Sequence, residues 1–363
     1  MSKVIITADI HFGVPGKLDD IIYANECIRE YAKAKNIDTI LILGDLFHDR
    51  RYLEIDTLNA AYNFFKTAKS AYDQDWIAFP GNHDMFLKHS WEINSLAPLS
   101  DIMTVIQEPS SFILSGQKFW ILPFISLEQS YMQALNKIND EAEENDILLT
   151  HIGVNGAILN TCFMLKDWGI VHFNNTKFKR IYTGHFHSTQ EINGRVYYPG
   201  SPIPFKQDEG NVPHGFFVLD LETSEHRFID IWQIGKKIFP GRKPPAQYCS
   251  IIDSDVENLN REDVQHNRVR IAITEDISPE KKKSIKEHLE SLGAESVSWM
   301  IMKQDEATKM EDTHNETETI ADLFEVYLKN DAKGTKSLNV ELLRSLNEEI
   351  IKIGDDHYKY EEF

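Results

Sequence analysis

DTILILGDLFH, residues 38–48, is an apolar run of strand length that breaks at a glycine and continues directly into an aspartate and then a histidine. β-Branched residues and leucine without polar alternation describe a strand buried on both faces, and the break places Asp45 and His48 at its carboxyl end. The same grammar recurs in KVIITADIH (3–11), WIAFPGNHD (76–84) and DILLTHIG (146–153). IIYANECIREYAKAKN (21–36) and LNAAYNFFKTAKSAY (58–72) lie between the first three of these, with Ile22, Cys27, Ile28 and Tyr31, then Leu58, Tyr62, Phe65 and Ala68, at helical spacing. The order is β-α-β-α-β, which implies right-handed crossovers and a mostly parallel, internal sheet.

Farther along, the text turns to hairpins. FILSGQKFWILPF (112–124), TQEINGRVYYPGS (189–201) with Asn193-Gly194, and HGFFVLDLETSEHRFIDI (214–231) add antiparallel strands, so the expected fold is a two-sheet α/β sandwich. GKKIFPGRKPPAQ (235–247) is too rich in proline and glycine to propagate a helix or a central strand and marks a domain boundary. NRVRIAIT, SPEKKKSIKEHLESLG and AESVSWMIMK then read as strand, helix and strand, with Ser278 as cap, Pro279 in the first turn and Gly293 as stop. The expected division is a main domain over 1–240, a small α+β domain over 246–303, a polar linker over 304–315 and two amphipathic helices over 316–354.

Composition limits the function classes. At 363 residues the chain is long enough for about two domains, and 42% hydrophobic content excludes wholesale disorder. No apolar stretch reaches the 18 to 20 residues of a membrane span, and no signal or transit pattern precedes the first strand, so a cytoplasmic location is expected. The net charge of -19 argues against holding nucleic acid through the overall field, although metal ions or a local basic patch can supply what the sum lacks. Cys27, Cys162 and Cys249 form no CxxC pair, which points to neither a disulfide framework nor a zinc-thiolate site.

Asp9, His11, Asp45, Asn82, His151, His185 and His187 all follow buried strands and should converge in the crevice outside the carboxyl ends of the sheet strands. Carboxylate, imidazole and one amide oxygen make a set suited to Mn²⁺, Fe²⁺ or Zn²⁺. Seven ligands exceed one tetrahedral site, whereas two ions roughly 3.5 to 4 Å apart that share a carboxylate would use them all. His83 and Asp84 of GNHD and His48 of GDLFH are further candidate site residues in the same stretches.

The ordered motifs DxH, GDxxH, GNHD, H and GHxH resemble those of the calcineurin-like metallophosphoesterases over about residues 1–235. The resemblance implies that Asp9, His11, Asp45 and His187 hold one divalent ion, that Asp45, Asn82, His151 and His185 hold the other, and that Asp45 bridges. It implies further that His83 is the catalytic residue acting on the phosphate, with Asp84 orienting its ring, and that His48 either touches the phosphate or hydrogen-bonds behind the site. GDLFHDRR (44–51) and GHFHSTQEINGRVYYPGSPIPF (184–205), above all YPGSP, are similar to the SbcD-type double-strand-break repair nucleases, and the length and tail are most like the recombination endonuclease subunits of large tailed phages. That likeness implies a Mn²⁺-dependent nuclease, with Mg²⁺, Fe²⁺ or Zn²⁺ as alternative ions, acting as 3′-to-5′ exonuclease on duplex DNA ends and endonuclease on single-stranded DNA. It also implies a DNA-capping role for the small domain and a homodimer within a heterotetramer whose other member is an SbcC-type coiled-coil ATPase. A small-substrate phosphodiesterase or phosphatase and a non-catalytic scaffold are the competing readings.

Ile320, Leu323, Phe324, Tyr327, Leu342 and Leu346 form apolar stripes expected to dock on the ATPase, on a tail with eight more acidic than basic residues. For DNA the candidates are Arg50, Arg51, Lys88, Lys179 and Arg180. A contact between two copies is expected at apolar positions near residues 53–68 or 91–103.

Overall fold

The computed structural model describes residues 2–301 except 88, 89, 161, 162, 165–172, 174, 211 and 274–276. Met1–Met302 form one compact unit. The expected linker and terminal helix pair, with Ile320, Leu323, Phe324, Tyr327, Leu342 and Leu346, lie outside the described residues, as does Lys88.

The strands in chain order are β1 (Lys3–Thr7), β2 (Thr39–Ile42), β3 (Asp75–Ala78), β4 (Met85–Leu87), β5 (Ser90–Asn94), β6 (Thr104–Val105), β7 (Ser110–Leu114), β8 (Gln117–Leu122), β9 (Ile147–His151), β10 (Ile158–Asn160) and β11 (Phe163–Met164). They continue with β12 (Arg180–Gly184), β13 (Gln190–Ile192), β14 (Val196–Tyr198), β15 (Gly215–Asp220), β16 (His226–Asp230), β17 (Tyr248–Ile252), β18 (Arg268–Ile273) and β19 (Ser296–Ile301). The helices are α1 (Leu18–Lys35), α2 (Ile55–Tyr72), α3 (Glu128–Glu141), α4 (Ile231–Ile238), α5 (Arg261–Val264) and α6 (Pro279–Ser291).

Two six-stranded sheets carry the fold, ordered β16-β15-β1-β2-β3-β6 and β13-β14-β12-β9-β8-β7. β1, β2, β3 and β6 pair in parallel, as do β8, β9, β12 and β14, and the antiparallel strands sit at the edges. Alternation along β1 explains the layering. Val4 and Ile6 point into an apolar layer shared with Phe119, Ile121, Leu149 and Tyr182 of the opposing sheet, while Ile5 packs under the helices. α1, α2 and α4 cover the outer face of the first sheet and α3 that of the second, giving the expected α/β sandwich.

The hairpin readings hold at residue level: Asn193 and Gly194 take φ of 53° and 66° in the turn that pairs Ile192 with Val196. The sequence GKKIFPGRKPPAQ behaves differently from expectation at its start. Gly235–Ile238 is the last turn of α4, and the helix stops just before Pro240 because proline has no amide hydrogen to continue it.

Residues 248–301 form a lobe with its own three-stranded parallel sheet, β17-β18-β19, around Val264, Val269, Ile271, Ile273, Ile285 and Leu289. The lobe has one strand more than the sequence indicates, β17. Ser278 accepts from the Lys281 amide, Pro279 opens α6, and Gly293 follows it with φ +99°.

Candidate metal centre

Every strand that carries a candidate donor delivers it to one edge of the sandwich. Asp9 and His11 follow β1, Asp45 follows β2, Asn82 and His83 follow β3, His151 ends β9, and His185 and His187 follow β12. Asp9, His11, Asp45 and His185 have φ of 51°, 54°, 52° and 102°, a region that L-residues rarely occupy. Backbone bonds hold them there: Asp9 N–H donates to Gly44 O (3.1 Å), His11 N–H to Asp45 O (3.0 Å), and His185 N–H to Asp9 Oδ1 (3.0 Å).

The donors converge as expected. Asp45 Oδ2 lies 3.7 Å from His11 Nε2 and 3.4 Å from His151 Nε2, between two groups. On one side Asp9, His11 and His187 bring one donor atom each within 4.8 Å of one another, and the His11 and His187 Nε2 atoms are 3.1 Å apart. On the other, Asn82 Oδ1 is 3.0 Å from His151 Nε2 and 2.8 Å from His185 Nδ1.

Hydrogen bonds behind the rings assign the tautomers. His151 Nδ1 donates to Leu43 O (2.8 Å) and His187 Nδ1 to Glu209 Oε1 (2.7 Å), which turns both Nε2 lone pairs toward the centre. Lone pairs of nitrogen, carboxylate and amide oxygen therefore face one another, an arrangement that only positive charge satisfies. The protonation equilibria say the same. Burial alone would lower His151, but the Asp45 carboxylate outweighs it and raises the ring to about 9. Burial would raise Asp45, yet His151, His11 and His83 pull it well below the usual carboxylate range. Asp9 is pushed up to about 6 by burial, and His185 down to about 3 by burial and by His151. Residues of this kind fit a pair of divalent cations.

Close approach explains three glycines. A Cβ on Gly44, Gly81 or Gly184 would stand 2.5, 2.8 or 2.7 Å from the His151 ring, so the ring fits only because all three lack one.

His83 lies beside this centre, with its ring stacked on His48 (5.6 Å, 12°) and edge-on to His11 (5.0 Å). Its Nδ1 donates to the backbone carbonyl of His48 (2.6 Å) and its amide to Asp45 Oδ1 (2.7 Å). This corrects the role expected for Asp84, which makes no bond to the His83 ring. Asp84 accepts from the backbone amides of Leu46 (3.2 Å), Phe47 (3.0 Å) and Gly81 (3.0 Å) and from the Ser95 hydroxyl (3.2 Å), and so ties the loop after β2 to the loop after β3. The neighbouring residue in a turn points the opposite way, which motif adjacency does not reveal. The His48 ring faces the centre, with Nδ1 3.4 Å from His11 Nδ1.

Arg50 and Arg51 follow His48 closely in the chain, the first half-buried and the second exposed. Lys179 and Arg180 stand at the amino end of β12, the end opposite Gly184, and Arg180 is tied to the Ser224 carbonyl. Three contributors escaped the sequence reading. Phe205 packs edge-on to both His11 (5.5 Å) and His187 (5.3 Å), Phe124 lies over His185 (6.3 Å), and buried Glu209 holds His187. Phe124 also walls a cleft of about 420 Å³ with Met85, Trp91 and Lys137. The YPGSP stretch loops back on the centre, since Ser201 N–H donates to His187 O (3.0 Å).

Residues 2–189 match the calcineurin-like phosphoesterase family. The chain belongs to that family. Its fold binds two divalent metals, and the donor clusters around Asp45 are the corresponding candidate site. The chain is 26% identical to Exonuclease subunit 1 of Enterobacteria phage T4 over 242 residues, 62% of this chain and 67% of that protein. It is 25% identical over 282 residues, 74% of this chain and 92% of the relative, to 244L of Invertebrate iridescent virus 6, which is provisionally named a phosphoesterase. Among solved structures, a dimetal phosphatase from Danio rerio matches with a TM-score of 0.40 and 12% identity, over 61% of this chain and 92% of that one. Among the described residues no helix is long and apolar enough to cross a membrane.

Proposed function

We propose that this metallophosphoesterase is a Mn²⁺-dependent DNA nuclease, a 3′-to-5′ exonuclease on duplex ends and an endonuclease on single strands, working as the nuclease subunit of an SbcCD-type complex in the cytoplasm. The observation that carries the phosphodiester chemistry is the ring of donors around Asp45 with His83 set beside it. The similarity to a phage exonuclease subunit favours DNA as the substrate.

In this reading Asp9, His11, Asp45 and His187 hold one ion and Asp45, Asn82, His151 and His185 the other. Two divalent ions supply positive charge to the phosphoryl oxygens and make water a nucleophile at neutral pH. The protein does the rest. The His48 carbonyl accepts from His83 Nδ1 and orients the ring, so that the doubly protonated imidazolium can give its Nε2 proton to the leaving oxygen and remain as the neutral Nδ1–H form. Phe205 and Phe124 flank the donors and limit water on two sides. Arg50 and Arg51, close after His48 in the chain, meet the DNA backbone in this reading. The lobe at 246–303 caps the DNA, the 316–354 segment docks on a coiled-coil ATPase, and a second copy covers exposed apolar positions such as Ile55 and Ile93.

Mn²⁺-dependent digestion of end-labelled duplex and single-stranded DNA, beside bis-p-nitrophenyl phosphate, tests the proposal. His83→Ala is expected to lose about 10²- to 10⁴-fold in cleavage while retaining its metals. Rapid cleavage of the small diester with DNA left intact, even with an SbcC-type partner present, would replace the nuclease by a small-substrate phosphodiesterase.

A further inference from the structure

We propose that Glu209 is a positioning residue for His187, and that the 248–301 lobe sets the geometry of one half of the metal centre through it, leaving the other half untouched. The inference rests on the metal-binding part of the reading above and is independent of the substrate.

Glu209 is 5% exposed, and its two oxygens have separate tasks. Oε1 accepts from His187 Nδ1 (2.7 Å) and Oε2 from the Phe205 amide (2.7 Å). The segment 205–210 is thereby folded around one carboxylate, with the Phe205 ring against both His11 and His187. A carboxylate behind a ligating imidazole fixes its tautomer and orientation and raises its basicity.

The outer side of the same segment lies on β17. Tyr248 Oη donates to Phe205 O (3.0 Å) and accepts from Arg268 of β18 (2.8 Å). Gln207 donates to Cys249 O (2.8 Å), and a Cβ on Gly210 would collide with the Tyr248 backbone. The Tyr248 ring also has Lys17 Nζ 4.8 Å from its centroid. Lys17 is 2% exposed and closes the loop that begins with Asp9 and His11. One tyrosine of the lobe therefore touches the supports of both loops that carry this half of the centre. His151 and His185 are supported from outside the lobe, since Leu43 O accepts from His151 and Phe124 covers His185, and Asn82 Oδ1 lies against these two rings. A shift of the lobe should thus move His187 and His11 and spare the other three.

Mn²⁺ titration of the full chain by calorimetry, paired with the visible spectrum of the Co²⁺-loaded protein, reads the two ions separately. Glu209→Ala is expected to weaken one of two Mn²⁺ equivalents about 10- to 100-fold, and Glu209→Gln, which keeps an acceptor but no charge, less. Tyr248→Phe should weaken the same equivalent severalfold and perturb the same Co²⁺ bands. Equal weakening of both ions, or wild-type affinities in Glu209→Gln and Glu209→Ala, would overturn the positioning role. Wild-type binding in Tyr248→Phe alongside an effect in Glu209→Gln would overturn the link to the lobe. Absence of Mn²⁺ binding by the wild type would remove the metal centre itself, whereas normal binding without DNA cleavage would defeat the nuclease assignment and leave this inference standing.

Discussion

Four of the seven donor residues sit at positive φ, a conformation that costs of order 1–3 kcal/mol for each residue and persists only where the surroundings enforce it. The enforcement comes from the hydrogen bonds of their amides together with dense packing around His151, and the packing can be tested at a single atom. Gly184→Ala should destabilise the protein by roughly 3 kcal/mol or more, because the added methyl meets the His151 ring and the Leu43 carbonyl, neither of which can retreat. Urea denaturation with and without metal measures this, and a loss under about 0.5 kcal/mol would show that the ring has room. The donors were legible because each ends an apolar run, a pattern whose geometry is dictated by the sheet. Glu209 was not, since an acid in the polar stretch KQDEG looks like any solvated carboxylate until the fold turns it inward. Lys179 and Arg180 lie at the start of the strand RIYTG, and strand direction alone puts them at the end away from Gly184.

At the scale of elements, the loops after β2 and β3 are bound through one buried carboxylate. Asp84→Asn keeps the shape and one acceptor but presents an amide NH₂ to backbone donors, so it should cost about 1–3 kcal/mol and weaken metal binding by loosening both loops. Chemical denaturation and Mn²⁺ titration report the two effects. The pH profile of cleavage in that variant should keep the wild-type shape, since the His83 ring takes its bond from His48. Helices and hairpins were read where periodicity or a two-residue turn was explicit. β17 was missed because YCSII is short, lies just after a proline-rich stretch, and gains strand form only by pairing with β18. α4 was hidden by a glycine that packs against Tyr23, where tertiary contact overrides propensity.

For the whole molecule, the centre makes stability fall with pH when metal is absent and removes most of that dependence when metal is bound. His151 is raised to about 9 from 6.5, and Asp84, through burial and the Asp45 charge, to about 7 from 3.8. Groups with raised folded values contribute stability at low pH that is lost as pH climbs through those values. His185 and His11 are lowered, so their effect ends near 6.5. Between pH 7 and 9 the metal-free protein should therefore lose thermal stability. With saturating Mn²⁺ the stabilisation by metal should grow over the same interval, because the ion no longer competes with the His151 proton. Calorimetric scans in EDTA and in Mn²⁺ at pH 7 and 9 check both slopes, and parallel slopes would show that His151 does not meet the ion.

The donors come from both sheets: Asp9, His11, Asp45 and Asn82 follow strands of one, and His151, His185 and His187 follow strands of the other. The ions would therefore act as rivets across the sandwich, joining halves that otherwise adhere through an apolar layer and a few hydrogen bonds such as His151 to Leu43 O. During synthesis the rivets cannot be set until the GHFH stretch has left the ribosome, so the first sheet must begin to assemble unaided. Once set, they should slow the parting of the sheets, and hence unfolding, more than they speed folding.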